Sequence, residues 1–408
     1  MITIRLRLGI MMFLQFFVWG AWFVTLGTFL ATNLEATGAQ TGMAFATQSW
    51  GAIVAPLFIG LIADRFFNAE RILGLLHLAG AALLWAMHVA GDFAAFYPAA
   101  LAYMVVYMPT LALVNAVAFR QMSDPAAEFA AVRIWGTIGW IVAGLAISYV
   151  FAWDDAARMA QGMLRNTFLL AAIASLALGL YSFTLPATPP RARGVQELRE
   201  LFGADALGLL RDRDFAVFFC SAILICVPLA FYYQNANLFL AETGVTNPTG
   251  KMTLGQISEA GFILLLPWCF RRIGIKFTLL AGMLAWSLRY VLFGFGDAGE
   301  GVWMLLLGIA LHGVCYDFFF VAGQVYTDAR AGERFKASAQ GLLTLATYGL
   351  GMLIGFAVAG EITDRYAQAG SHAWQSVWLF PAGLAFAVFV LFLVLFRDPA
   401  ERTQGVRQ

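Results

Sequence analysis

The sequence predicts an all-α integral membrane protein of about twelve transmembrane helices, arranged as two pseudo-symmetric six-helix bundles. Three observations carry this. Hydrophobic residues make up 61% of the 408 and charged residues only 12%, against roughly 25% charged in soluble domains. Apolar stretches of about 20 residues, the length that crosses a bilayer core, recur about a dozen times. One long, charged, proline-bearing connection falls near the middle of the chain and divides the stretches into sixes.

In order, the expected spans lie near 8–31, 41–63, 71–91, 94–119, 129–152, 163–185, 214–240, 252–272, 276–296, 301–326, 337–362 and 372–396. The first follows Arg5 and Arg7, as in a signal peptide. Its apolar run continues to about Ala31, beyond the 7–15 residues of a signal-peptide core, so it is read as a retained span. The expected domains are 1–185, a hinge over 186–213, and 214–408. The hinge opens on Pro186, Pro189 and Pro190 and sets Arg191, Arg193, Arg199, Arg211 and Arg213 against Glu197, Glu200, Asp205, Asp212 and Asp214. Its Val195–Leu210 part has leucines at helical spacing, suited to the membrane surface.

Basic residues orient the chain. Loops on the side of the termini and hinge carry nineteen Lys and Arg, the opposite loops four, and Arg133 and Arg289 stand inside spans. By the positive-inside rule both termini are expected in the cytoplasm, with the chain multi-pass in a bacterial inner membrane. A formal net charge of +1 makes nucleic acid an unsuited partner. Cys220, Cys226, Cys269 and Cys315 all fall in apolar runs, so neither a disulfide framework nor a metal site is expected. There is no Walker A, GxSxG or HExxH motif. An enzyme is therefore not expected, nor is a cofactor, and energy would come from an ion or substrate gradient.

Two carboxylates make the function legible. Glu259 lies in Gln256-Ile257-Ser258-Glu259-Ala260-Gly261 and Asp317 in Cys315-Tyr316-Asp317-Phe318. A charge at bilayer centre costs about 2.5–3.5 kcal/mol on insertion scales, so such residues mark proton relays, polar-ligand sites or paired ions. Gln256 and Glu259 are three apart and share a helix face. A low-dielectric site favours the neutral acid, which suits a proton-coupling group. Asp317 is the second candidate, able to bind substrate, relay protons or pair with Arg289. Arg133, Thr137 and Trp140 fall on one stripe and suit a polar, ring-shaped solute; alternatively, Arg133 snorkels to the interface. Tyr233, Gln234, Asn235 and Asn237 form a polar cluster fit to line a cavity or to bond other helices. His312 and Tyr316 share a face of the tenth span and are candidate substrate contacts, a lone histidine being more often a structural hydrogen bonder, and Gln15, Trp19 and Trp22 form a stripe of the first. Asn115 is a weaker lining candidate. Gly351 and Gly355 form a GxxxG pair that permits close helix approach.

Between the second and third spans, Gly60-Leu61-Ile62-Ala63-Asp64-Arg65 followed by Arg71 resembles the major facilitator signature of that loop, although Phe67 and Asn68 depart from it. Asp64, Arg65 and Arg71 are the gating residues this implies. Two six-helix halves joined by a hinge are likewise a major facilitator architecture.

More specifically, the chain resembles the nucleoside:proton symporter family of that superfamily. The resemblance is carried by Phe13–Trp22, Tyr107–Asn115, Arg133–Gly139, Gln256–Glu259, Asp317–Phe319, Ala337–Gly341 and Trp374–Trp378, in order over nearly the whole chain. It implies inward nucleoside movement coupled to protons by alternating access. Arg133, Thr137 and Trp140 would line the pocket from the first half, with Gln256, Glu259, Tyr316 and Asp317 from the second. Ribose or base would bind Arg133, Gln234, Asn237 and Gln256, with Trp140 and Tyr316 stacking. The chain departs from the family pattern at Ala230, Tyr233, His312 and Tyr316, where the family more often has glutamine, asparagine, tyrosine and phenylalanine. The expected partners are a nucleoside, a proton and the lipid bilayer, and the expected state is a monomer. The alternatives are a facilitator for a sugar or other polyhydroxylated solute and a non-transporting membrane sensor.

Overall fold

The computed structural model describes residues 2–58, 68–189 and 204–397. The protein is all-α apart from a two-residue ribbon, and among the described residues ten helices are long and apolar enough to cross a membrane. Large apolar side chains stand exposed along them, with Leu264 at 78%, Val150 at 73% and Val394 at 70%. In water such a surface would aggregate; against acyl chains it is at no disadvantage. The chain forms two compact units. One comprises Met1–Glu197 with Gln234–Ala241 and Thr246–Thr253, and the other Leu198–Tyr233, Glu242–Val245 and Leu254–Gln408.

The first unit holds α1 (Ile2–Gly20), α2 (Leu26–Asn33), α3 (Gly38–Phe58), α4 (Ala69–Val89), α5 (Phe93–Arg120), α6 (Pro125–Leu145), α7 (Ala156–Ala160) and α8 (Asn166–Ser182). The expected continuous first span is in fact two helices joined by a turn at 21–25. Thr25 closes that turn, its hydroxyl donating to the Trp22 carbonyl at 3.1 Å. α1 packs on α6 and α8, α4 on α5 and α8, and α3 on α5. At one end Arg5 donates to Glu128 at 2.9 and 3.1 Å, pinning α1 to α6. In the interior Gln15 Nε2 donates to Thr110 at 2.7 Å, and Gln15 Oε1 meets His77 Nε2 at 2.8 Å. Gln15 is thus committed to joining α1, α4 and α5.

The second unit holds most of α9 (Arg213–Glu242) and α10 (Pro248–Phe262), with α11 (Leu266–Arg272), α12 (Gly274–Phe295), α13 (Val302–Ala310), α14 (His312–Tyr316), α15 (Ala322–Thr344), α16 (Met352–Arg365) and α17 (Trp374–Leu395). The eighth expected span is one stretch, Pro248–Arg272, in which α10 passes into α11 through a 3₁₀ turn at Ile263–Leu265. Pro267 sits in the first turn of α11, where its missing N–H costs nothing but where it cannot continue α10. The loop expected over 327–336 is largely helical. The chain runs helically from Ala322 to Thr344, and its break is Gly332 at φ +65°, ψ 171°, a left-handed conformation that glycine adopts without a steric penalty. The stretches Val302–Gly332 and Phe335–Arg365 are each 31 residues long, more than a bilayer core needs, so their ends extend past it. Gly351 and Gly355 let α16 approach α9, since a Cβ at Gly355 would stand 2.7 Å from Ala230 Cβ.

Residues 204–211 of the expected hinge form a 3₁₀ helix whose Ala206 packs into a core with Ala331, Ala339 and Leu342. That stretch lies against α15, where the sequence suggested the membrane surface. The remainder of the expected surface helix, with Glu197, Arg199 and Glu200, and the hinge residues Arg191 and Arg193 lie outside the described residues. Among the described residues all four cysteines are free and no side-chain group could hold a metal.

Candidate functional site

The second unit concentrates the acids. α10 presents Gln256 and Glu259 on one face, both half-buried. It lies against α14 at unusually short range. Gly313 makes this possible: its N–H donates to Ser258 Oγ at 2.9 Å, and a Cβ there would stand 2.6 Å from the Glu259 nitrogen. Glu259 acts electrostatically on Asp317, Tyr232, Tyr233, Tyr316 and Tyr348. Gln256 makes no hydrogen bond among the described residues.

Asp317 is fully buried, and neither of its carboxylate oxygens has a hydrogen-bond partner among the described residues. It begins a π-helical turn, Asp317–Val321. Two other π turns, Ala146–Val150 and Leu345–Gly351, hold Ser148 and Tyr348. Such local over-wide turns are frequent at functional sites because they re-aim a side chain. Tyr316 and Tyr348 share a hydrogen bond between their hydroxyls. Sequence reasoning misses Tyr348; its polar hydroxyl within a glycine-rich run is the available signal.

The suggested Asp317–Arg289 pair does not form. Arg289 of α12 donates instead to His312 Nδ1 at 3.1 Å, and its guanidinium carbon lies 3.4 Å above the Tyr232 ring centre. The cation is held by an aromatic face and a neutral acceptor, so the buried acid is left unpaired.

In the first unit the stripe Arg133, Thr137, Trp140 forms as the spacing predicts, all three half-buried on α6. Arg133 lies 4.1 Å above the Phe16 ring centre, and Thr137 makes no hydrogen bond among the described residues. Trp140 meets Trp19 edge-on at 5.6 Å.

The polar cluster of α9 divides. Tyr233 is half-buried within electrostatic reach of Glu259. Gln234 Nε2 contacts the Gly38 carbonyl at 3.4 Å and its Oε1 has no partner among the described residues. Asn237 is saturated by other helices: its Oδ1 accepts from Thr28 at 2.6 Å and its Nδ2 donates to Thr249 at 3.1 Å. Asn237 thus braces α9 against α2 and α10. Replacing Asn237 by Leu would strand both hydroxyls, at a cost of about 1–2 kcal/mol. Thermal unfolding in detergent should show a lowered midpoint for that variant. Gln256→Ala has no bond to lose and should leave the midpoint unchanged while weakening ligand binding.

Of the gating candidates, Arg71 is exposed near the start of α4, and Asp64 and Arg65 lie outside the described residues. Asn115 is half-buried on α5 without a hydrogen bond among the described residues. Sequence reasoning also misses a clasp in the first unit. Asp154 Oδ2 accepts from Ser148 at 2.5 Å and from the Thr249 N–H at 3.0 Å, and the Gly250 N–H donates to Ser148 at 2.7 Å. An acid and a hydroxyl thus satisfy the buried amides at the start of α10, which have no partner within the helix.

Comparisons with known proteins place this arrangement. A family model described as "Nucleoside H+ symporter" matches residues 2–401. YegT of Escherichia coli K12, provisionally described as a nucleoside transporter, is 40% identical over 98% of this chain and 96% of its own length. The xanthosine permease of the same organism is 32% identical over 98% of both chains. The crystal structure of the nucleoside transporter NupG matches with a TM-score of 0.87 at 30% identity, covering 97% of this chain and 99% of that one.

Proposed function

The chain belongs to the nucleoside H+ symporter family, and from that membership together with the site we propose how it performs proton-coupled nucleoside import and which groups serve it. It is a multi-pass membrane transporter of the major facilitator fold, not an enzyme.

Glu259 is the group we assign to the transported proton. The assignment is carried by the burial of Asp317, a carboxyl that no donor among the described residues satisfies, within electrostatic reach of the half-buried Glu259. Two acids within electrostatic reach in a low-dielectric interior cannot both be ionised cheaply. Protons are therefore shared within the pair, and the half-buried member exchanges them with the transport pathway. Gln256, with its amide unengaged, and Tyr316 are assigned to the nucleoside in the second unit. Arg133, Thr137 and Trp140 are assigned to it in the first: the guanidinium and hydroxyl as hydrogen-bond donors, the indole as a stacking surface for the base. Coupling is then a difference in energy. Substrate and proton each favour one of two transport states, and together they favour the productive exchange. The division into halves at 186–213, the cytoplasmic termini, the inner-membrane location and the monomeric state are part of the same proposal, supported by the charge distribution of the loops.

Uptake into proteoliposomes tests this, using a panel of purine and pyrimidine nucleosides and plain sugars, with and without an inward proton gradient. Nucleosides should accumulate above equilibrium only with the gradient, and sugars should not accumulate. Gradient-driven uptake of a sugar in place of nucleosides would overturn the substrate reading. Accumulation indifferent to the gradient would overturn the coupling.

A further inference from the structure

The second unit contains a buried cation with no acid beside it. Arg289 is fully buried and forms no ion pair among the described residues. One of its donors, Nη1, is spent on His312 Nδ1 at 3.1 Å, and its Nε and Nη2 have no hydrogen-bond partner among the described residues. A guanidinium has donors and no acceptor and does not lose its proton in proteins. The nitrogen facing it must therefore present a lone pair. The ring proton of His312 is fixed by this on Nε2, and that Nε2 makes no hydrogen bond among the described residues.

The surroundings hold the ring in that state. Tyr232 of α9 stacks on it with ring centres 5.1 Å apart, and Tyr316 on its own side lies 5.9 Å away. Gly255 of α10 gives the imidazole room, since a Cβ there would stand 3.2 Å from His312 Cβ. Around this group the titratable and charged side chains are Arg289 from α12, Tyr232 from α9, Glu259 from α10, acting on both tyrosines, and Cys315 and Tyr316 beside the histidine. The ring is buried first of all, and the charge that acts on it is that of Arg289. Protonating Nδ1 would set two N–H groups and two positive charges against each other.

We propose that Arg289 is a positioning residue that locks His312 as a neutral donor at Nε2, aimed at an acceptor oxygen of the nucleoside, either a base carbonyl or a ribose oxygen. The proposal rests on the nucleoside reading above for its ligand but not for its protonation state. Its consequence is specificity. A locked donor favours substrates that offer an acceptor, and it does so equally at every pH through the range where a free histidine changes charge, about 6 to 7. His312 thereby stays out of the proton count and leaves it to the carboxylates.

The test uses the full-length protein with ¹⁵N-labelled histidine, the His312 signals being assigned by their loss in His312→Gln. In the unaltered protein His312 should show the neutral Nε2–H form from pH 5.5 to 8. In Arg289→Met the ring, still buried, should divide its proton between Nε2 and Nδ1. Equilibrium binding of uridine and adenosine by Arg289→Met should then weaken by about twofold, as the share of rings that keep the Nε2 donor falls. That loss should be absent when Arg289→Met is made on His312→Gln, which separates it from any change at Glu259 or Asp317. A merely structural arginine would lower stability without moving the ring proton. A His312 that titrates, or carries its proton on Nδ1, in the unaltered protein overturns the proposal, and that measurement stands even if Arg289→Met fails to fold. Absence of any nucleoside binding alongside the Nε2–H signature would instead sink the substrate reading while leaving the lock in place.

Discussion

Glu259→Gln should bind nucleosides within about threefold of the unaltered protein yet fail to accumulate them against a gradient. Glutamine keeps the volume and much of the hydrogen bonding of a protonated glutamic acid, so the binding-competent form is imitated. What it cannot do is release a proton. The energy that drives accumulation comes from that release on one side and uptake on the other, and without it the carrier equilibrates substrate and no more. Counterflow, in which labelled nucleoside exchanges for unlabelled with no net proton movement, should persist. Asp317→Asn is the comparison. Its carboxyl is buried without a hydrogen-bond partner among the described residues, so the amide should alter affinity and stability more than coupling. If Glu259→Gln accumulates normally and Asp317→Asn does not, the proton belongs to Asp317. If both accumulate, neither acid couples transport.

Gly313→Ala should have the second large effect, although it adds one methyl group. Its Cβ would stand 2.6 Å from the Glu259 nitrogen and 2.7 Å from the Ser258 carbonyl oxygen. Those atoms are backbone and cannot swing aside, so α10 and α14 must part. Overpacking of this kind costs about 1–3 kcal/mol and more where the backbone must move. It would also displace the segment that carries Glu259. Thermal unfolding in detergent should show a depressed midpoint, and uptake should fall even at temperatures where the variant remains folded. Gly261→Ala is the control: nothing lies within 4 Å of its Cβ, and alanine in an exposed helical position is favoured over glycine by about 0.5–1 kcal/mol. Equal stability for the two variants would mean that the close approach at Gly313 is not a constraint.

Much of this site is legible in the amino-acid sequence. A carboxylate in an apolar span is conspicuous because the bilayer penalises it, so residue type alone singles out Glu259 and Asp317. The stripe Arg133, Thr137, Trp140 follows from helical period, which the structure keeps. The partners are another matter. By charge alone Asp317 is a natural partner for Arg289, but helix rotation and packing bring the arginine onto Tyr232 and His312. Asn237 reads as a lining residue because its neighbours are polar, yet contacts 209 residues and 12 residues away in sequence consume its amide. Tyr348 escapes notice because its only local mark, a hydroxyl in a glycine-rich run, does not tell which helix it faces; its partner, Tyr316, is 32 residues away in sequence.

The chain alone determined that this is a helical membrane protein with two costly acids, because hydropathy, length and charge act on each segment independently of the others. Only the tertiary structure decided which polar groups are already spent and which are left over. Satisfaction of a donor or acceptor depends on which helix faces it, and helix rotation and spacing are set by close packing at positions such as Gly313 and Gly355, not by the composition of any one span.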